Sequence, residues 1–373
     1  MREESLEEII GSYHHASPLE EAHTIPAPWY IDPRVAELER RTVFSQTWQV
    51  IGRAGQLQAT GDYITATVAG EPIVAVRGED GVLRAFFNVC RHHAAAVATE
   101  PAGNAGVLRC PYHGWTYGLD GALKGVPEFD GVCQFERKTN GLVPVRVETW
   151  EQFVLVNLDA AARPLNDFLG SLVARVQPLN LSQLHFVERR TYSLNCNWKV
   201  YVDNYLDGGY HVPHLHKSLN SVLEYVDYTI ENQDRFCLQS SPIRTSGGDK
   251  VAAAVRQGRA YYFWQYPNFM LNLYEGVMDT NLVLPLGVDR TAVIFDFYFR
   301  DIDPSSELRN RQSIDVGERI QDEDVAICES VQRGLQSRAY GTGRLSVRRE
   351  AGEHLFHRLL YADLKKGLAL QPS

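Results

Sequence analysis

The 373-residue sequence contains no run of 18 apolar residues, which excludes a bilayer-spanning helix of the usual kind. Cysteine is sparse: Cys90, Cys110, Cys133, Cys196, Cys237 and Cys328 are too scattered for a disulfide framework, so a reducing compartment is expected. Positive charge is also short, with 37 Lys+Arg against 46 Asp+Glu and a net charge of −9. That balance argues against nucleic acid or an anionic membrane as the main partner. Glycine and proline, 29 and 17, stay below low-complexity levels, and no internal repeat or long charge block occurs. The start, MREESLEEII, is acidic where a targeting segment would be basic and then apolar, so a cytoplasmic location is expected.

What is present is the composition of a folded protein, 44% hydrophobic and 22% charged, with a length sufficient for about two to three domains. Pro26, Pro28 and Pro33 mark an extended entry, and Val35–Val50 reads as a helix with Leu38, Val43, Phe44 and Trp48 on one side. Strand patterns follow at Asp62–Val68, Pro72–Arg77, Val82–Val89, Leu142–Val147 and Phe153–Leu158, with a turn at 78–81. Beyond the Ala-Ala-Arg-Pro stretch at 161–164, helical segments at Leu165–Val176, Trp198–Tyr210 and Glu307–Gln336 bracket strands at Phe263–Tyr274, Asn281–Leu286 and Thr291–Phe299. The expected class is α+β: a small all-β unit, then a larger domain with an antiparallel sheet flanked by helices. Residues 1–44, 45–160 and 161–373 are the expected divisions, and Ser246-Gly247-Gly248-Asp249 reads as a mobile loop.

Two clusters carry chemistry. Cys90-Arg91-His92 and Cys110-Pro111-Tyr112-His113 form paired hooks, with seventeen residues between His92 and Cys110. Two thiolates and two imidazoles suit either a tetrahedral zinc or a [2Fe-2S] cluster, and spacing alone leaves both open. The second cluster is His211-Val212-Pro213-His214-Leu215-His216, behind the acidic Asp203 and Asp207. On an unbroken helix His211 and His214 would share a face, but Pro213 is expected to end the helix at Val212.

The second hook continues as Gly114-Trp115-Thr116-Tyr117-Gly118, and here the sequence resembles the Rieske [2Fe-2S] domain. The resemblance implies that Cys90 and Cys110 bind one iron and His92 and His113 the other. It leaves His93 beside the cluster or at the surface, and Tyr112 and Trp115 as support for the loops. The downstream cluster is similar to that of Rieske oxygenases, which implies a mononuclear Fe(II) held by His211, His216 and a distant Asp. Asp324 in Gln321-Asp322-Glu323-Asp324 is that Asp, because Glu329 follows it by five positions, with Asp322 as fallback. His214 is left to line the site or donate a hydrogen bond. Two imidazoles and one carboxylate leave open positions for dioxygen.

The family also implies an acid linking the Rieske histidine of one subunit to an iron ligand of the next, in a homotrimeric ring. Relatives carry that acid three residues before the first histidine, where this sequence has Gly208. Asp207 is the candidate and Asp203 the competitor, with the adjacent Asn204 a third candidate catalytic residue.

Longer segments, among them Thr24–Tyr30, Asp203–Pro213, Tyr266–Met270, Met278–Gly287 and Cys328–Leu335, resemble choline monooxygenase and its relatives that act on quaternary ammonium compounds. That implies hydroxylation of a C–H bond beside oxygen or nitrogen, with electrons from NAD(P)H or ferredoxin through a separate reductase. Aromatic faces would hold the cationic head, and among the rings of Tyr261–Tyr266, Phe269 and Tyr274, Trp264 and Tyr274 are the candidates. A ring-hydroxylating oxygenase acting on an aromatic, and a simple Rieske electron carrier, stay open as alternatives.

Overall fold

The computed structural model describes residues 4–244 and 249–369; residues 246–248 of the expected loop therefore lie outside the described residues. The chain divides into two compact units, Arg40–Phe168 on the one hand and Met1–Glu39 with Leu169–Ser373 on the other.

In the Arg40–Phe168 unit, Asp62–Val68 and Glu71–Arg77 pair antiparallel around Ala69 and Gly70, both at positive φ, the geometry of a tight hairpin. Among the described residues the sheet has seven strands, in the spatial order Gln49–Arg53, Phe153–Asn157, Pro144–Trp150, Leu83–Phe87, Glu71–Arg77, Asp62–Val68 and Ala102–Asn104. Its apolar face includes Ile64, Ile73, Val154 and Val156. A second sheet of short strands, Leu108–Arg109, Thr116–Tyr117 and Leu123–Gly125, carries the second cysteine hook between its first two members. The expected helix over Val35–Val50 is shorter than its apolar pattern suggested. An α-helix ends at Glu39, a π turn covers Arg40–Phe44, and Gln49 already begins a strand. Leu38, Val43, Phe44 and Trp48 are nonetheless all buried.

Among the described residues the other unit is built on a seven-stranded antiparallel sheet in which consecutive strands from Thr229–Gln233 through to Arg290–Phe299 pair in sequence order, and His185–Leu194 pairs with that last strand. The segment Phe263–Tyr274 is two strands, Arg259–Gln265 and Phe269–Tyr274, because Pro267 offers no ladder N–H and the chain turns there. Leu165–Val176 is likewise two short helices, parted at Gly170 with φ +55°. Glu307–Leu335 is one long helix, as its pattern predicts. Among the described residues no helix is long and apolar enough to cross a membrane.

Trp198–Leu206 starts on Asn197, whose side chain accepts the Lys199 N–H, and stops before Tyr210. Gly208 and Gly209, at φ +67° and +68°, turn the chain out of the helix. Pro213 is not the terminator. It lies in the first turn of a new helix, Val212–Leu215, where its missing N–H leaves no bond unmade.

The buried side of Trp198–Leu206 contains an ion pair: Lys199 Nζ lies 2.6 Å from Glu39 Oε1, both are buried, and Trp198 Nε1 donates to Glu39 Oε2 at 2.8 Å. Burial pulls the Lys199 pKa down, opposed by Glu39. Glu39→Ala strands a charged ammonium in the interior and should cost about 3–5 kcal/mol in denaturant unfolding. A loss below about 1 kcal/mol would show that the pair carries little of this unit's stability.

Candidate metal centres

The two cysteine hooks fold alike. In the first, the Cys90 N–H donates to the Ala95 carbonyl and the Ala94 N–H to the Cys90 carbonyl, at 2.8 and 3.0 Å. In the second, Cys110 N–H donates to Trp115 and Gly114 N–H to Cys110, at 2.8 and 3.1 Å. The residue four after each cysteine takes a left-handed φ, +63° at Ala94 and +73° at Gly114. Each turn thus presents its cysteine inward and its histidine toward the rim: Cys90 and Cys110 are buried, His92 is half-buried and His113 exposed.

The His92 and His113 ring centroids are 4.7 Å apart, and His92 stacks on the buried Trp115 at 4.8 Å and 5°. His92 Nδ1 is buried without a hydrogen-bond partner, which is expensive for a polar nitrogen unless a metal takes the lone pair. Burial, with His93 and His113 nearby, lowers the His92 pKa and keeps the ring in its neutral, ligating form. The Tyr117 hydroxyl lies 3.3 Å from Cys90 Sγ and accepts the Arg91 N–H at 2.9 Å, a contact of the kind that tunes a cluster's potential. His93 is exposed against His92, and Tyr112 stacks on His113 while itself exposed, so Trp115 and Tyr117 rather than Tyr112 supply the buried support. Four donors with an orphaned imidazole nitrogen fit a two-Cys, two-His cluster.

The other centre is set at the ends of one helical turn. His211 precedes Val212–Leu215 and His216 follows it, with ring centroids 4.7 Å apart. Asp324 comes from the buried side of Glu307–Leu335, which also shows Gln321 and Cys328. The ligand atoms of His211, His216 and Asp324 all lie within 4.8 Å of one another.

Each imidazole is fixed by a carboxylate on its far nitrogen. His211 Nδ1 pairs with Asp207 Oδ2 and His216 Nδ1 with Glu323 Oε2, both at 2.6 Å. Both Nε2 atoms are thereby left facing Asp324, at 4.0 and 3.1 Å from Oδ1. This carboxylate-to-imidazole arrangement is the one metal-ligating histidines use. Asn204 Nδ2 donates to the same Asp324 oxygen at 2.8 Å and orients it. The donor set therefore fits a divalent iron with open positions.

Several expectations need revision. His214 is exposed and outside the cluster, because the single helical turn sends it away from His211 and His216. Asp322 is exposed, two residues off the buried stripe that holds Asp324. Asp203 does not approach His211: it accepts from Tyr30 at 2.6 Å and pairs with His357 at 3.0 Å. Gly208 cannot be exchanged for an acid, since a Cβ there would lie 2.1 Å from the Arg349 carbonyl oxygen. Trp264 is fully buried, packs edge-on against Tyr266 and Phe356, and donates its indole N–H to Pro267. Tyr274, by contrast, lines a cavity of about 100 Å³ that also reaches His211, His216 and Asp324. Glu323 was not singled out in the sequence, although its place beside Asp324 was a signal. Arg256 and Asp279, which line the same cavity, gave none.

Comparison with known proteins agrees with this layout. Residues 47–136 match the model of the Rieske [2Fe-2S] domain, and residues 181–365 match that of the ring hydroxylating alpha subunit catalytic domain. The chain is 38% identical to the chloroplastic choline monooxygenase of Arabidopsis thaliana, over 96% of this chain and 87% of that protein. With the carnitine monooxygenase oxygenase subunit of Escherichia coli K12 it shares 33%, over 91% and 94%. A crystal structure of the quaternary ammonium Rieske monooxygenase CntA superposes with a TM-score of 0.84 at 29% identity, over 97% of this chain and 99% of that one. With both domain models matched, and relatives this similar along nearly the whole length, the chain belongs to the Rieske non-heme iron oxygenases, as a terminal oxygenase subunit.

Proposed function

We propose that the protein uses dioxygen and electrons from a separate reductase to hydroxylate a C–H bond of a quaternary ammonium compound, choline- or betaine-like. The observation that carries this reading is the single cavity in which His211, His216 and Asp324 meet a lining of tyrosine and phenylalanine rings. Aromatic faces attract a trimethylammonium group that can neither donate nor accept a conventional hydrogen bond. The relatives named choline monooxygenase and carnitine monooxygenase, and CntA bound to L-carnitine, support the same substrate class.

In this reading Cys90, His92, Cys110 and His113 hold the cluster, and His211, His216 and Asp324 hold the mononuclear iron. When bound, the two centres supply single electrons and dioxygen activation. The chain's own residues position and exclude. Asp207 and Glu323 lock the two imidazoles with Nε2 inward, Asn204 aims the Asp324 carboxylate, and the phenol rings keep water from the reacting carbon. Hydroxylation of choline's alcohol carbon gives a geminal diol, the hydrate of the aldehyde, on the intact skeleton; hydroxylation of an N-methyl group gives a hydroxymethyl group that is lost as formaldehyde, leaving the tertiary amine.

Asp207 is also the acid proposed to reach a neighbouring subunit's Rieske histidine. Its tie to His211 supports that role over Asp203, whose oxygens are taken by Tyr30 and His357. Repeated around a closed ring, this contact gives a head-to-tail homotrimer. The sparse, scattered cysteines favour a reducing compartment such as the cytoplasm. The 1–44 segment is read as packing on the catalytic domain, 45–160 as the Rieske domain and 161–373 as the catalytic domain.

The test is a substrate panel with a surrogate reductase, scoring NADH oxidation against product. Choline, glycine betaine, carnitine and simple aromatics are compared on protein carrying about three irons per chain. Product from a quaternary ammonium compound, coupled to oxygen uptake, is expected. Product from aromatics alone would replace this reading with ring hydroxylation, and oxygen uptake with no product from any substrate would favour the electron-carrier alternative.

A further inference from the structure

The cavity beside His211, His216 and Asp324 contains a cation as well as rings. Arg256 follows the short helix Lys250–Val255 and is 3% exposed, and its guanidinium carbon lies 4.3 Å from the centre of the Tyr274 ring. A Cβ on Gly317 would lie 3.3 Å from the Phe297 ring and 3.9 Å from Arg256 Nη2, so the Glu307–Leu335 helix passes beside the guanidinium. Arg256 makes no ion pair within 4 Å among the described residues and its Nε has no hydrogen-bond partner; the hydroxyls of Tyr274 and Tyr262, and Asp279 beyond ion-pair distance, attract it. Guanidinium does not lose its proton in a protein, so this is a permanent buried charge, and a buried charge is strongly disfavoured unless something opposite meets it.

The other acid on the cavity wall fills that role only in part: Asp279 attracts Arg256 but makes no direct ion pair with it. Asp279 stands in one cross-strand row with Gln239, Tyr262 and Asn272, and its carboxylate accepts from Asn272 Nδ2 at 2.7 Å. Burial pushes the Asp279 carboxyl above its ordinary range in spite of Arg256 and Asn272. The phenols of the cavity wall are already committed: Tyr201 donates to Gln321, Tyr205 to Asn272 and Tyr228 to Gln239. Their hydroxyls are engaged inside the wall, and ring surface is what they add to the cavity.

We infer that Arg256 is the anchor for a carboxylate on the substrate, so that the site selects zwitterionic betaines over choline. The carboxylate end completes the ion pair that Arg256 lacks, and the quaternary head lies among the rings of Tyr201, Tyr205 and Tyr228. Choline, a cation with no carboxylate, meets a like charge in the same enclosed space and gives nothing back. This rests on the quaternary ammonium reading above and narrows it to one chemical class.

The test uses matched pairs that differ only in CO2⁻ against CH2OH: glycine betaine with choline, and 4-trimethylammoniobutanoate with 4-trimethylammoniobutanol. With iron-loaded oxygenase and a surrogate reductase, the carboxylate member of at least one pair should show kcat/KM about 100-fold higher. Titration calorimetry on the oxygenase alone should show the same order of affinity. Arg256→Gln should lower the carboxylate member's kcat/KM by about 100-fold, mainly through KM, and raise that of the alcohol. Arg256→Lys should restore about tenfold of the loss. Equal or better use of the alcohols by the natural enzyme overturns the inference while leaving the quaternary ammonium reading standing. So does an Arg256→Gln variant that weakens both members of a pair equally. If Arg256→Gln does not fold, the pairs on the natural enzyme still decide. Product from aromatics, with none from either member of any pair, overturns both.

Discussion

Replacing His211 by alanine should leave a protein that keeps its red-brown colour and turns over nothing. The variant removes one of three donors from the mononuclear site, leaving His216 and Asp324, too few to hold a divalent metal tightly. The fold around it has reason to survive. Asp207, which accepts from the His211 ring, also accepts the backbone N–H groups of Tyr210 and His211, at 3.1 and 2.9 Å. Those bonds need no imidazole. The Cys90 and Cys110 hooks lie in the other unit, so visible absorption should be unchanged while bound iron falls from about three to about two per chain. Product formation should drop by at least ~10³-fold, since a mononuclear oxygenase site without its metal has no other way to activate dioxygen. Full iron content together with retained turnover would remove His211 from the ligand set.

How much of this was legible beforehand depends on how local each signal is. The cluster hooks are written in consecutive residues, and the turn that presents each cysteine is closed by bonds within six residues, so spacing showed the four donors while the resemblance to the Rieske domain chose the cluster over zinc. His211 and His216 share that locality, but the reason they converge does not. The helix stops at Leu206 and the chain turns at Gly208, where the Arg349 carbonyl, more than a hundred residues later, occupies the space a side chain would need. Pro213 was the visible breaker and the wrong one. Asp324 was separable from Asp322 only by the family relation to Glu329, whereas in the structure burial separates them at once. Trp264 and Tyr274 illustrate the opposite limit: both are aromatic, both lie on adjacent paired strands, and only the position of Phe356 on a distant helix makes one of them core. Arg256 was invisible. The first of the two arginines in Val-Arg-Gln-Gly-Arg carries no mark of being buried, and its meaning comes from the Gly317 backbone and Tyr274 ring beside it.

Cys110→Ala should give the complementary loss. Cys110 is 2% exposed and contributes one of two buried thiolates, while the imidazoles stand nearer the surface. Without that thiolate the iron it shares with Cys90 has a single protein ligand, so the cluster should not assemble. The visible absorption should vanish and iron should fall to about one per chain, the mononuclear atom. Backbone closure of the hook, through Cys110 N–H to Trp115 and Gly114 N–H to Cys110, does not involve sulfur. The His92–Trp115 stack is likewise untouched, so the unit should still fold, with a lowered unfolding midpoint because the cross-link between the two hooks is gone. Turnover should be undetectable with any electron donor that works through the cluster, yet the His211, His216 and Asp324 site should still bind ferrous iron in a titration. A zinc-loaded natural protein, colourless from the outset and unchanged in appearance by Cys110→Ala, would overturn the assignment of the first site. An equally red Cys110→Ala protein would remove this cysteine from it. The alanine pair therefore separates the two centres by physical readouts, colour for one and ferrous affinity for the other, before any substrate is identified.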